Sequence, residues 1–275
     1  DNLPECLEKE PNDASASPQK VALPIIVNGR IDRPDDWDVF EFEGRAGDVV
    51  VAEVLARRLD SPVDSFLKLT DANGKLLAFN DDREDPGSGL NTHHADSYLM
   101  FTLPADGAYR VHLGEAARHG GEEFGYRLRL SPPRPDFELR VVPSSAALRG
   151  GNGTASLMVH AIRKDGLTGP ITLSLKDPPE GFTASPATLA EGKDMVGFTL
   201  RTTLPDLKAP VALKIQGAVT INGQNVVHEA VPAEDRMQAF LWRHLVPAED
   251  LQVVVYDPNL DPAPRGSRRG KIPKK

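Results

Sequence analysis

Between Asn80 and Ser97 the chain reads Asn-Asp-Asp-Arg-Glu-Asp-Pro-Gly-Ser-Gly-Leu-Asn-Thr-His-His-Ala-Asp-Ser, setting five acids around the adjacent pair His93-His94. Three kinds of chemistry suit such a stretch. Asp81, Asp82 and Asp96 could donate oxygens to a metal, with His93 or His94 turning the preference toward a transition metal. The spacing is neither the His-Glu-x-x-His pattern of zinc hydrolases nor an EF-hand loop. A hydrolase would need a nucleophile or an activated water beside a base. Ser88 and Ser97 lie near the histidines, but no Gly-x-Ser-x-Gly elbow and no cysteine falls in the stretch. The third reading, which the residues favour, is an ordered polar loop. In it the aspartates cap turns and the histidines pack or bond across the loop, with or without an ion.

Such a loop must be held by what flanks it, and the flanks alternate in the period of a half-buried strand. Phe40 and Phe42 alternate with Glu41 and Glu43, and Tyr109, Val111 and Leu113 alternate with Arg110 and His112. Asn28-Gly29 and Asn73-Gly74 read as turns between strands. About eight short strands at this spacing predict an antiparallel sandwich over residues 7–131. Ser131-Pro-Pro-Arg-Pro135 breaks strand pairing, so a boundary is expected there. A second sandwich is expected over residues 136–257, with Asp165-Gly166 and Asn222-Gly223 as turns. Its strand spacing is immunoglobulin-like, although the Cys-Trp-Cys signature of antibody domains is absent. Residues 236–245 fit either a helical face or a strand, and the strand-rich context favours the strand. Val231-Pro-Ala-Glu-Asp235 recurs at Val246-Pro-Ala-Glu-Asp250, too few copies for a repeat architecture. The fold class predicted is all-β, two β-sandwich domains, followed over 258–275 by a basic, disordered tail.

Forty acids against 32 bases leave a net charge of −8, which argues against binding a phosphate backbone, so no nucleic-acid partner is expected. No apolar run is long enough to span a membrane. Cys6 is the single cysteine, so no intramolecular disulfide can form, and stability beyond hydrophobic burial must come from elsewhere, for instance a bound ion. The start at Asp1, without Met or an apolar signal region, is what a processed or excised piece would show.

The first half resembles the bacterial pre-peptidase C-terminal domain, a jelly-roll-like sandwich module attached to secreted proteases and collagenases. The resemblance rests on Glu8-Lys-Glu10-Pro-Asn12-Asp13, on Asn28-Gly-Arg-Ile with Asp35-Asp-Trp-Asp38-Val-Phe-Glu-Phe42, and on Leu103-Pro-Ala-Asp106-Gly107-Ala-Tyr109-Arg-Val111. The long loop containing His93 and His94 departs from the shorter one usual in that family. In its collagen-binding relatives calcium lies between the acidic leader and an Asp-x-x-Asp pair. The resemblance therefore implies Glu8, Glu10, Asn12, Asp35 and Asp38 as calcium ligands, with Asp13 in backbone support. Calcium takes six to eight hard oxygens, and carboxylates from two separated segments would tie the leader to the sheet. The function expected is that of a non-catalytic accessory or binding module of an exported bacterial protein. Its setting would be extracellular, periplasmic or at the cell surface. It would bind an extracellular polymer or protein, or support a larger secreted protein that includes further domains of the same precursor. The alternative is a metal-dependent hydrolase using His93, His94 and Asp96.

Overall fold

The computed structural model describes residues 2–13, 17–83, 96–237, 243–257 and 259. They form two compact units, the first ending at Arg134 and the second starting at Pro135. Among the described residues the regular structure is all strand apart from one 3-10 turn at Arg57–Leu59, and no helix is long and apolar enough to cross a membrane.

The first unit contains β1 (Glu5–Leu7), β2 (Gln19–Lys20), β3 (Ile25–Arg30), β4 (Trp37–Gly44), β5 (Val49–Leu55), β6 (Ser65–Asp71), β7 (Leu76–Asn80), β8 (Tyr98–Thr102), β9 (Gly107–Glu115) and β10 (Gly125–Ser131). One sheet runs β1-β3-β10-β5-β8 and the other β2-β4-β9-β6-β7. The first pair in each sheet is parallel, and the remaining pairs are antiparallel. The leader therefore gives β1 to one sheet and β2 to the other. The chain between them has to pass from layer to layer, which carries Glu8–Asp13 across the sandwich.

Strand alternation fills the space between the sheets. Phe40, Phe42, Leu67, Leu69, Val111 and Leu113 from one layer pack in a single cluster with Val27, Val54, Leu128 and Leu130 from the other. Burying a phenylalanine such as Phe40 or Phe42 contributes on the order of 2 kcal/mol, so these two positions largely fix the register of β4. The Asn73-Gly74 turn forms as its residues dictate. Gly74 has φ 81°, and Asp71 Oδ1 accepts the N–H groups of Asn73 and Lys75, both at 2.9 Å. Asn28-Gly29 is not a turn. Both residues lie inside β3, and the glycine serves a close approach described below.

In the second unit Asp136–Val142, Thr154–Lys164 and Met195–Thr202 pair antiparallel. Val211–Ile221 and Gln224–Met237 form a hairpin through Asn222-Gly223, whose φ values of 50° and 78° suit a tight hairpin turn. Leu139, Val159, Ile171, Leu173, Phe198 and Ile215 belong to one buried cluster. Of the ambiguous stretch 236–245, the described ends are strand. Arg243–Pro247 pairs with the end of Gln224–Met237, so that Ala233 and Glu234 of one Val-Pro-Ala-Glu-Asp copy face Pro247 and Val246 of the other. Residues 238–242, and the expected tail apart from Asn259, lie outside the described residues.

Candidate metal centre

Where the leader leaves β1, its acids meet the start of β4. Glu8 is fixed by three bonds. Its N–H donates to the Asn28 carbonyl (3.0 Å), its Oε1 accepts the Arg30 N–H (2.9 Å) and its Oε2 accepts the Tyr126 hydroxyl (2.7 Å). This packing explains Gly29. A Cβ there would stand 2.2 Å from Glu8 Oε2 and 2.3 Å from the Tyr126 oxygen, so no side chain fits. Glu10 accepts the Asn12 N–H at 3.0 Å, and the Asn12 carbonyl accepts the Val39 N–H at 3.1 Å, which places Asn12 against the first residues of β4.

Two overlapping acidic groups result. In one, Glu8, Glu10 and Asp32 each bring a carboxylate oxygen within 4.8 Å of the others, and in the second Glu10, Asp36 and Asp38 do the same. Glu10 is common to both. Asp38 and Asn12 are 0% exposed and Asp36 is 3% exposed. Both oxygens of Asp38, both polar side-chain atoms of Asn12 and one oxygen each of Asp13 and Asp36 are buried without a hydrogen-bond partner. A buried polar atom without a partner costs about 1–3 kcal/mol, and a buried unpaired charge more.

The electrostatics express the same conflict. Burial first, and the neighbouring Glu8 carboxylate second, push the Asp38 carboxyl up to about 8. Burial likewise raises Glu8, and it raises Asp36, which the nearby Asp13 carboxyl raises further. Burial and the Asp38 and Glu8 carboxylates drive Tyr126 well above the ordinary phenol range. A hard cation among these groups would partner the orphaned oxygens and offset their repulsion together. The donors are all oxygens, as calcium requires, and no histidine or cysteine belongs to either group.

Of the ligands implied by the resemblance, Glu8, Glu10, Asn12 and Asp38 come together here. Asp13 lies at the margin, with one oxygen held by Arg33 at 2.6 Å. Asp35 does not join them. Its φ of 63° turns its side chain to solvent, where it faces Arg118 at 3.5 Å. Asp36 takes its place, because residues two apart at the head of a strand share a side and Asp36 is two before Asp38. Asp36 Oδ2 also accepts the Asp32 N–H at 2.6 Å, which curls residues 32–36 around the centre and brings in Asp32. Neither Asp32 nor Tyr126 carries a motif of its own. The parity of Asp36 with Asp38 was the available signal for the former's neighbour, whereas Tyr126 is 118 residues from Glu8.

The other acidic loop resolves differently. His93 and His94 lie outside the described residues, and Asp81 and Asp82 are exposed. Asp96 is fully buried and its carboxylate is engaged. It accepts the N–H groups of Ala56 (3.0 Å), Arg57 (2.7 Å) and Arg58 (3.2 Å) and the Arg58 Nε (2.8 Å), capping the 3-10 turn. Ser97 is tied to Ser65, and Asn80 Oδ1 accepts the Tyr98 N–H at 2.8 Å. Asp96 thus works as an anchor for the loop's end, with its oxygens already committed to donors.

No family model matches the chain. It is 40% identical over 103 residues, 36% of its own length, to a protein of Deinococcus radiodurans described as a probable subtilase-type serine protease, and the matched part spans 13% of that protein. It also resembles the solved pre-peptidase C-terminal domain of a collagenase from Bacillus anthracis. That likeness covers 48% of this chain and 100% of the domain, at 14% identity and a TM-score of 0.32.

Proposed function

We propose that this chain is a non-catalytic accessory part of an exported bacterial protein, and that calcium at Glu8, Glu10, Asn12, Asp32, Asp36 and Asp38 fastens the leader of its first unit to the sandwich. The carrying observation is Asp38, a wholly buried carboxylate with neither oxygen in a hydrogen bond, beside the equally buried side-chain amide of Asn12, which also has none. Similarity to a short part of a much longer subtilase-type protease supports an accessory role. In this reading the second unit is an immunoglobulin-like sandwich. The whole serves outside the cytoplasm, binding an extracellular polymer or protein or supporting the larger protein it belongs to. The commitment of Asp96 to four donors weighs against a hydrolase built on the histidine loop. Calorimetric titration of calcium into chelator-treated protein tests the proposal. Saturable binding that Asp38→Asn removes is expected, and absence of binding to the wild-type chain would overturn it.

A further inference from the structure

The metal centre uses one side of the Asp35–Asp38 segment, and the other side borders a recess that the proposed calcium role leaves unexplained. At the same end of β4, β6 and β9 a cavity of about 300 Å³ opens between Trp37, Phe66 and the turn Glu115–His119. That volume is the lower end for a ligand pocket and suits one side chain or a small ring. Sheet register builds its apolar wall. Gly114 lies opposite both Trp37 and Phe66, and a Cβ on it would come within 2.7 Å of the Phe66 ring. The glycine therefore lets the two aromatics meet across the strand, edge to face, with centroids 4.6 Å apart.

The polar wall is unbalanced. Glu115 is only 5% exposed, yet it borders the recess. Its Oε2 accepts the His119 N–H at 2.6 Å, and among the described residues no hydrogen bond reaches its other oxygen. At the mouth, Asp35 and Arg118 face each other at 3.5 Å with both side chains largely exposed, a pair that solvent leaves weak and exchangeable. With Asp36 assigned to the metal centre, Asp35 and Glu115 stand against Arg118, the one arginine or lysine among the described lining residues. Among the described residues no cation pairs with Glu115, and its second oxygen opens to the recess. Aromatic rings beside such a carboxylate favour a planar cation, which stacks on a ring and donates to the acid. A neutral sugar could stack there as well but would bring no cation to the Glu115 carboxylate.

We propose that this recess binds an arginine side chain presented by a partner polypeptide, with the guanidinium between Trp37 or Phe66 and the Glu115 carboxylate. Two-dimensional amide NMR of the full chain tests this, with N-acetyl-arginine amide, its uncharged citrulline counterpart and methyl glucoside as probes, each in calcium and in chelator. The arginine probe should produce saturable shifts at the Trp37 indole N–H and the His119 amide in at least one condition. The citrulline probe should bind at least tenfold more weakly. Glu115→Gln keeps the acceptor for His119 and should remove the discrimination. If that variant does not fold, the arginine-to-citrulline ratio in the wild-type chain decides the matter. No saturable shift in either condition, equal binding of citrulline, or shifts from glucoside alone would overturn the proposal. Because both metal states are measured, failure here is separable from failure of the calcium site.

Discussion

Asp38→Asn separates the two roles of the metal centre, since it removes a charge that the apo fold resists and that the bound ion needs. Burial holds the Asp38 carboxyl at about 8, against 3.8 for an ordinary aspartate. Between those values the folded apo chain keeps a proton that the unfolded chain releases. The unfolded state thus binds fewer protons there, and apo stability falls as pH rises from about 4 to about 8. At about 1.4 kcal/mol per pH unit the loss at pH 7 is on the order of 4 kcal/mol. Asparagine does not titrate, so in chelator at pH 7 the variant should be the more stable protein by about 2 to 4 kcal/mol, the lower figure allowing for its own unpartnered amide. For a unit of this size that corresponds to a shift in Tm on the order of 10 °C. Calcium should reverse the ranking. The wild-type chain gains about 4.1 kcal/mol at a thousandfold excess over Kd, more at pH 8 than at pH 6 because the ion displaces the proton, and the variant gains little. Thermal unfolding of both proteins in chelator and in calcium, at pH 6, 7 and 8, measures this, following the transition that the substitution moves. The difference between the two proteins cancels the titrations of groups remote from Asp38. A variant that is less stable without calcium and responds to calcium like the wild type would refute the reasoning.

Gly29→Ala places a methyl group where Glu8 Oε2 and the Tyr126 oxygen now lie, so it should destabilise the first unit by about 2 kcal/mol and weaken calcium binding, readable by denaturant titration and calorimetry. Asp96→Ala leaves the N–H groups of Ala56, Arg57 and Arg58 without their acceptor; a loss of about 3 kcal/mol with unchanged calcium affinity is expected, and a parallel loss of calcium binding would count against the anchoring role. His112 is 8% exposed, accepts or donates a bond with Thr70 at 3.1 Å, and is pushed down to about 4 by burial, then by Lys68 and Arg110. Here the unfolded state binds the extra proton, so this contribution is fully present above pH 6.5 and is lost as pH falls through 4. It amounts to about 3 kcal/mol. His112→Gln should flatten that part of the stability profile, measured as the difference from wild type between pH 4 and 7.

Much of the sandwich was legible because strand alternation and turn residues act locally. Phe40, Phe42, Val111 and Leu113 fall inside because alternate side chains must face the same way, and Asn73-Gly74 and Asn222-Gly223 turn because their backbones accept positive φ. The same local logic failed at Asn28-Gly29, where the pair has the residues of a turn but the glycine answers to Tyr126 and Glu8, neither of them near it in sequence. It also failed to distinguish Asp35 from Asp36, since only the backbone of residue 35 decides which carboxylate turns inward. Asp81, Asp82 and Asp96 look alike as sequence, yet the first two are exposed and the third caps a turn formed by residues about forty positions earlier. By itself, then, the sequence determined the class of fold, the strands' inner faces and the presence of oxygen donors in the leader and before β4. Tertiary structure alone decided which donors are desolvated together, which are already satisfied and which meet water. Those outcomes depend on long-range register and on the direction of each side chain, and composition and spacing carry neither.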